Sequence, residues 1–457
     1  MRKIFLMTML SGLFTLSLTA AEDAAVDAAT VDETTALADV KNVATSAFAD
    51  NKSADDIARE LAEKYLADNG IVEGYDANKD KSFYLGMRTV SVNAANPDFA
   101  KFRALAYDQA FSDAVAAFAA FCGKQITTQA LSSLFSDNSS DAREFAEALS
   151  AGRTEIDALA EKAVAATGAK LDAALKECGV DPEQWNAAPP DQKKTLFEES
   201  FRRITLERVT KSLSGISTIM NFIGQDGKGN ESIAVLIMYS PKSAELAAAL
   251  RRGQRPAIAK IGKPLREQLP LNDAQKLQDL LGVRLLFDEQ GPVIVSYGQW
   301  ANSYAGDNAS MRSSQERIAS DTAQTNATAQ LAEFLSANFD GKTETETGQR
   351  AAQELIKKGE TGDLIEPDTA AKLINIRKTS AKRHSSAHLQ GVNVLKKWKY
   401  RTPDGHEVVG VIVTYSFANM EAAKKAGVVK SATPATRQSN GTPGGRASEE
   451  QMSIDDF

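Results

Sequence analysis

Apolar residues along the chain follow two rhythms, and these rhythms occur in the same order twice. Apolar positions that recur every three or four residues predict amphipathic helices, whereas short β-branched runs bounded by polar turns predict strands. In the first half these patterns predict a helix from Ser53, a strand over Ser82–Val92, an Ala-rich helix from Phe99, a hairpin over residues 216–239 and a helix after Ser240. The second half repeats this order with a helix in residues 271–285, a strand over Pro292–Ala301, an Ala-rich helix through Ala319, a hairpin over residues 392–415 and a helix over Asn419–Ala426.

Equivalent positions in the two halves are separated by constant intervals. Tyr239 lies 176 residues before Tyr415, and Ala106 lies 213 residues before Ala319. Fixed offsets over several elements indicate an internal duplication. The two offsets differ because the first copy contains a larger insertion rich in helix-forming residues. The sequence therefore predicts an α+β fold with two repeated units, each ordered as helix, strand, Ala-rich helix, β-hairpin and helix, and a helical insertion in the first.

These patterns also predict where the segments of the chain begin and end. The predicted segments are a signal peptide (1–21), a flexible acidic lead segment (22–52), a first α+β unit (53–252) with its insertion at about 139–190, a basic linker (253–269), a second α+β unit (270–427) and a disordered polar tail (428–457). We expect the insertion to form a helical hairpin that projects from the first unit.

The N-terminus predicts the compartment. Arg2 and Lys3 precede an apolar stretch that ends in the small residues Thr19, Ala20 and Ala21. This order is typical of a secretory signal peptide, here with cleavage near Ala20–Ala21. A membrane anchor is the alternative, but polar residues interrupt the stretch and a full span needs about 20 apolar residues. We therefore expect a periplasmic or secreted protein with no transmembrane segment after signal removal.

Composition and cysteine content narrow the possibilities further. The hydrophobic fraction of 43% is ordinary for a globular protein and is enough for a sizeable core. The net charge of −7 becomes −9 once Arg2 and Lys3 are removed, so no general affinity for nucleic acid is predicted. Cys122 and Cys178 are candidates for a disulfide in an oxidising compartment, and two separate buried thiols are the alternative.

Basic residues are concentrated in one block of the second copy that contains no acid. Its members are Arg377, Lys378, Lys382, Arg383, Lys396, Lys397, Lys399 and Arg401. In an acidic chain such a block can create a local positive field. These residues are therefore candidate contacts for an anionic surface such as lipid headgroups or lipopolysaccharide, or for an acidic partner. The alternative is a solvated face that is neutralised by acids elsewhere in the fold.

Patterns that would indicate metal binding or catalysis are incomplete. His384 and His388 have a spacing that can bind a metal on a helix, but Arg208 and Ser212 occupy the equivalent positions of the first copy. Residues 76–82, DANKDKS, resemble the start of a calcium loop but are not followed by its Gly and Glu, which favours a polar turn. Neither a nucleophile elbow nor a phosphate-binding glycine loop occurs. We predict no catalytic residues, no metal and no cofactor.

A family resemblance adds to this reading. RALAYDQAFSDAVAAFAAF with SGISTIMNF and SIAVLIMYS, and RIASDTAQTNATAQLAEF with QGVNVLKKW and EVVGVIVTY, carry it. These segments resemble the small α+β domains of exported bacterial proteins of the LPP20 lipoprotein and flagellar assembly protein T type. They cover about half of the chain, and the lipoprotein cysteine is missing. The whole chain also resembles uncharacterised exported bacterial proteins. The resemblance implies an envelope-associated, non-catalytic scaffold and assigns no functional residues.

Three hypotheses for function follow from the sequence. The favoured one is a non-catalytic exported protein that has a structural or interaction role in the cell envelope, with another envelope protein as its partner. The second is a binding module for an anionic ligand or surface, which rests on the basic block. The third is an enzyme without a recognised motif, which would require one dry cleft with perturbed titratable groups.

Overall fold

The computed structural model describes residues 52–135, 155–166, 171–304, 306–335, 389–403 and 405–426. All of them belong to one compact unit. Several predictions concern residues outside these ranges: the signal peptide, nearly all of the acidic lead segment, the polar tail, and Arg377, Lys378, Lys382, Arg383, His384 and His388.

The first half of the chain forms a four-stranded antiparallel sheet with the order β1-β2-β4-β3 and a helix on each face. Its elements are α1 (Ala54–Asp68), β1 (Gly74–Asp76), β2 (Lys81–Thr89), α2 (Phe99–Phe135), α3 (Glu155–Ala165), α4 (Leu171–Glu177), α5 (Pro182–Ala187), α6 (Pro190–Ser212), β3 (Ser217–Gln225), β4 (Glu231–Tyr239) and α7 (Pro241–Arg251). Helix α1 begins where the sequence predicts, because the Ser53 side chain accepts a hydrogen bond from the backbone N–H of Asp56 at 3.2 Å.

The second half forms another four-stranded antiparallel sheet, with the order β5-β6-β8-β7. Its elements are α8 (Leu265–Gln268), α9 (Ala274–Gln278), β5 (Gly282–Asp288), β6 (Gly291–Asn302), α10 (Ala309–Leu335), β7 (Asn393–Arg401), β8 (Glu407–Ser416) and α11 (Phe417–Ala426). The two sheets share one topology, in which the third strand along the chain is an edge strand and the fourth lies in the middle. This confirms the predicted α+β fold class with two similar units.

The Ala-rich stripes bring each long helix unusually close to its sheet. A Cβ atom added at Gly86 of β2 would collide with the carbonyl oxygen of Ala110 in α2, and one added at Gly298 of β6 would collide in the same way with Ala323 in α10. Small residues on both sides allow backbones to approach this closely. The stripe of alanines is therefore a packing device, and it is the same in both units.

Strand register is also the same in the two sheets. Gly86 pairs with Val235 and Gly298 pairs with Val411, which keeps the offset of 176 between the third and fourth strands of each unit. Each edge strand carries one irregularity at the equivalent place, after Thr218 in β3 and after Val394 in β7. A shared bulge in a shared register is what a duplicated unit would retain.

The sequence analysis was wrong about part of the second unit. It assigned residues 271–285 to one helix, but α9 ends at Gln278 and the chain enters β5 at Gly282, whose φ is 90°. A positive φ is accessible to glycine and ends the helix there. The apolar residues that follow pair with β6 instead of continuing the helix. Strand β1 was missed as well because only three residues of it pair with β2.

The insertion extends the first core, whereas a projecting hairpin was expected. Leu159 of α3, Leu175 of α4 and Phe197 of α6 are fully buried, and they belong to the same apolar cluster as Phe118 of α2. Trp185 of α5 packs edge-on against Phe197, with ring centroids 6.5 Å apart. The described insertion helices therefore pack along α2, because their apolar faces need the long helix as a partner.

Helix α7 follows the first hairpin in sequence but contributes to the second core. Leu246, Ala247 and Leu250 are buried in the apolar cluster that contains Ile294 of β6 and Val411 of β8. The two units are thus joined by shared packing as well as by the chain itself.

Candidate interaction surfaces

The two sheets meet at a junction where β3 of the first lies beside β5 of the second. Side chains bridge the two strands to backbone groups. The amide of Asn221 on β3 donates to the carbonyl oxygens of Asp279 and Leu281, both at 3.1 Å. In the opposite direction, Arg284 on β5 donates to the carbonyl oxygen of Ile219 at 2.9 Å. These bonds fix the position of one sheet edge against the other.

Arg103 of α2 is the central residue of this junction. Its guanidinium is 4% exposed and contacts Glu231 Oε1 at 2.5 Å, the Gln278 carbonyl oxygen at 2.6 Å and Asp279 Oδ1 at 2.8 Å. Burial alone would lower the pKa of Arg103, but the carboxylates of Glu231 and Asp279 raise it above its ordinary value. The guanidinium therefore stays charged and ties two elements of the first unit to the second.

Arg284 is a second buried arginine at the junction, and its surroundings differ. Its guanidinium carbon lies 5.9 Å from the ring centroid of Tyr297, and burial lowers its pKa below the ordinary value. Its Nε has no hydrogen-bond partner among the described residues. Aromatic rings, including Tyr107 and Tyr65, surround the charge where a carboxylate would be expected.

Further bonds join the units at both ends of the junction. Ser303 donates to Asp98 at 2.5 Å, and the imidazole Nε2–H of His406 donates to the carbonyl oxygen of Ala95 at 2.7 Å. At the other end, the N–H of Gly215 donates to the carbonyl oxygen of Phe334 at 2.8 Å. The two units are therefore held at several separate points.

A narrow groove lies along the junction between α2 and α10. Its floor is apolar and includes Tyr107, Phe111 and Val283, and carboxylates of Asp108 and Glu333 line it as well. The Tyr107 hydroxyl shares a 2.8 Å hydrogen bond with Thr218, so this side chain is held in place. The groove is closed by the packing of the two units and offers little room to a ligand.

Half of the predicted basic block lies on the described edge strand β7. Lys397, Lys399 and Arg401 are exposed on one face of the strand, and we call these three residues the basic edge. Lys399 pairs with Glu316 of α10. Lys396 points to the other face and donates to the carbonyl oxygen of Leu271. The structure thus separates Lys396 from the other three, a division that follows from strand alternation.

Trp398 lies between the lysines but faces the interior. It is 6% exposed, and a Cβ atom added at Gly410 on the neighbouring strand would collide with its indole ring. The missing side chain at Gly410 makes room for the indole. The interleaving of aromatic and basic residues along this strand is therefore an alternation of core and surface positions.

The opposite end of the described sheets carries acidic groups. Glu73, Asp76 and Asp80 lie in and beside the hairpin of β1 and β2, and we call these three residues the acidic edge. Val72 and Tyr75 next to them are 71% and 46% exposed. Sequence analysis missed this surface because its acids are interspersed with Lys79 and Lys81.

The turn between β1 and β2 has the geometry that the favoured interpretation of DANKDKS predicts. The Asp76 carboxylate accepts hydrogen bonds from the backbone N–H groups of Asn78 at 3.0 Å and Lys79 at 3.3 Å. Asp80 accepts one from the Tyr75 hydroxyl at 3.0 Å. The side-chain oxygens thus serve the turn itself. Within the described residues, no group of three or more His, Cys, Asp and Glu side chains is arranged to hold a metal ion.

Both cysteines are buried free thiols, which is the alternative that the sequence left open. Cys122 of α2 and Cys178 after α4 belong to the first core, and no S–S bond joins them. Burial raises the pKa of each thiol to about 12. Thiols with such values are unreactive at neutral pH.

Comparisons with known proteins bear on the fold more than on the chemistry. Residues 156–252 match a family model described as a domain of unknown function, DUF6844, which spans the insertion helices, the first hairpin and α7. The crystal structure of the hypothetical protein FTT1539c from Francisella tularensis is similar over 82% of this chain and 94% of that chain, with 20% sequence identity and a TM-score of 0.48. The search of curated proteins gives no match. None of the described helices is both long and apolar enough to cross a bilayer.

Proposed function

We propose that this protein is a non-catalytic, exported protein with a structural or interaction role in the cell envelope. The observation that carries this proposal is the buried Arg103 network, because it fixes two folded units relative to one another. Two sheets fixed in this way present their outer edges at a set distance, which suits a scaffold. The resemblance to LPP20 lipoproteins and to the flagellar assembly protein T type supports the same class of function.

Export is the part of this proposal that can be tested first. Cells that express the full chain should accumulate it in the periplasm or medium, with the mature N-terminus near Ala21 by intact mass. Reversing the charge of Arg2 and Lys3 to Glu should retain the unprocessed chain inside the cell, because the basic n-region directs signal peptides to the export machinery. A full-length chain that stays inside wild-type cells would contradict export.

Interaction in the envelope can be tested by site-specific photo-cross-linking. A photoreactive residue in place of Lys397 should give discrete adducts in intact cells, whereas the same residue at the exposed Asp321 of α10 serves as the control. Adducts at Lys397 that do not exceed those at Asp321 would argue against an interaction role for this edge.

A second candidate function is a binding module for an anionic surface, which the basic edge favours. Three exposed cations on one face of a strand can bind anionic headgroups with a strength that decreases with salt. The K397E/K399E variant should lose retention on phosphatidylglycerol vesicles, whereas K424E/K425E on α11 should keep it. Equal retention of both variants would exclude this function for the basic edge.

A further inference from the structure

The junction inside the chain is a worked example of how two of these units dock. It places the β3 edge of one unit beside the β5 edge of the next. Because the two sheets share one topology, β7 is the equivalent of β3, and β1 is the equivalent of β5. The tandem therefore uses one edge of each kind and leaves the other two, β7 and β1, at opposite ends of the sheets.

The two remaining edges carry opposite charges. The basic edge presents Lys397, Lys399 and Arg401 on β7, and the acidic edge presents Glu73, Asp76 and Asp80 at the β1 hairpin. Lys79 offsets part of this acidity through its contact with Asp76 at 3.5 Å. Complementary charge selects partners and orientation at an interface.

The acidic edge also has an apolar component in the position that the junction would require. Val72 occupies the place in the first unit that Gly282 occupies in the second, as the pairing of β1 and β5 with their neighbours shows. Gly282 lies against Tyr107 and Thr218 at the junction. Val72 is 71% exposed, so its apolar surface is open to a partner.

We propose that copies of this chain associate head to tail, with the basic edge of one chain against the acidic edge of the next. A heterologous contact of this kind builds open chains or closed rings according to the rotation between copies. This inference rests on the proposed structural function and names a second copy as the partner.

The contact between chains is expected to be weaker than the junction within the chain. Arg103 is replaced by Glu316, Tyr107 by Ser320 and Asn221 by Lys397 at the equivalent positions of the second unit. The groups that lock the internal junction are thus absent from the free edge. Charge remains as the main attraction, and salt screens it.

The test uses two variants, each of which loses one edge. K397E/K399E/R401E reverses the basic edge, and V72K/E73K reverses the charge at the acidic edge while leaving the turn residues Asp76 and Asp80 in place. The exported wild-type chain should sediment as species larger than a dimer at low salt and as a monomer in about 1 M NaCl, where the Debye length is about 3 Å. Each variant alone should remain a monomer, with association at least tenfold weaker than wild type.

The decisive sample is an equimolar mixture of the two variants. The first variant keeps its acidic edge and the second keeps its basic edge, so the mixture should form a 1:1 dimer and stop there. K424E/K425E should associate like wild type, and unchanged thermal unfolding of all variants shows that each is folded. A monomeric wild type, a mixture that stays monomeric, or self-association of either variant would overturn the proposal. Cross-links from Lys397 to a different envelope protein would then still support the proposed function.

Discussion

The two units differ on their outer surfaces and agree inside. In both, a glycine on the second strand receives a backbone carbonyl of the Ala-rich helix, and the strand register is the same. Outside, α1 packs closely over Gly224 of β3, whereas the equivalent position on β7 is Tyr400. The helix–sheet packing thus tolerated little change after duplication, because interiors are close-packed, and the free surfaces diverged.

Arg103 gives the largest expected difference between equivalent positions. Replacing Arg103 with Met leaves Glu231 buried without its cation, and breaking a buried pair in this way costs about 3–5 kcal/mol. Replacing the equivalent Glu316 with Gln breaks only its contact with the half-exposed Lys399, which is worth about 1 kcal/mol or less. Urea unfolding measures both, and similar losses for the two variants would contradict the assigned role of Arg103.

The glycines under the Ala-rich helices should respond alike in the two units. In both G86A and G298A the added methyl group collides with a main-chain carbonyl, and overpacking of this kind costs about 1–3 kcal/mol or more. G227A is the matched control, because an added Cβ there meets open space. If thermal unfolding shows one of the two variants to be neutral, the units are less similar than their registers indicate.

The pair of residues behind the basic edge allows one unit to be converted towards the other. Trp398 and Gly410 occupy the places of Phe222 and Ala234 in the first unit. G410A alone should be destabilised because the methyl group meets the indole, and W398F/G410A should recover that loss. A double-mutant cycle is expected to give a coupling of about 0.5–3 kcal/mol. Additive effects would show that the two pairs are not equivalent.

The smallest effect concerns the thiols, which occur only in the first unit. An unfolded thiol titrates near 9, whereas burial raises the pKa of Cys122 and Cys178 to about 12, so the native state keeps protons that the unfolded state loses. Their contribution to stability therefore falls as the pH rises from about 9 towards 12. Comparing urea midpoints of the wild type and C122A/C178A at two pH values isolates this component from that of the tyrosines. Rapid labelling of the native thiols at pH 8 would contradict their burial.

Sequence patterns predicted the elements better than their limits. The stripe of Ala319, Ala323 and Ala327 predicted a helix and its buried face, and all three are buried against the second sheet. The step from α9 to β5 was missed because a short apolar run after a helix is compatible with either structure, and pairing with β6 decides it. The basic edge was found from charge, but the separation of Lys396 from it depends on strand alternation.

What the sequence by itself determined is the repeated unit: local periodicity and constant offsets are written in neighbouring residues, so they survive without knowledge of the contacts between units. What only the tertiary structure decided is the junction, because Arg103 meets Asp279 across 176 positions and no local pattern marks either as a partner. The same docking decides which sheet edges remain at the ends. The opposite charges of those two edges became meaningful only when the topology placed them at equivalent sites.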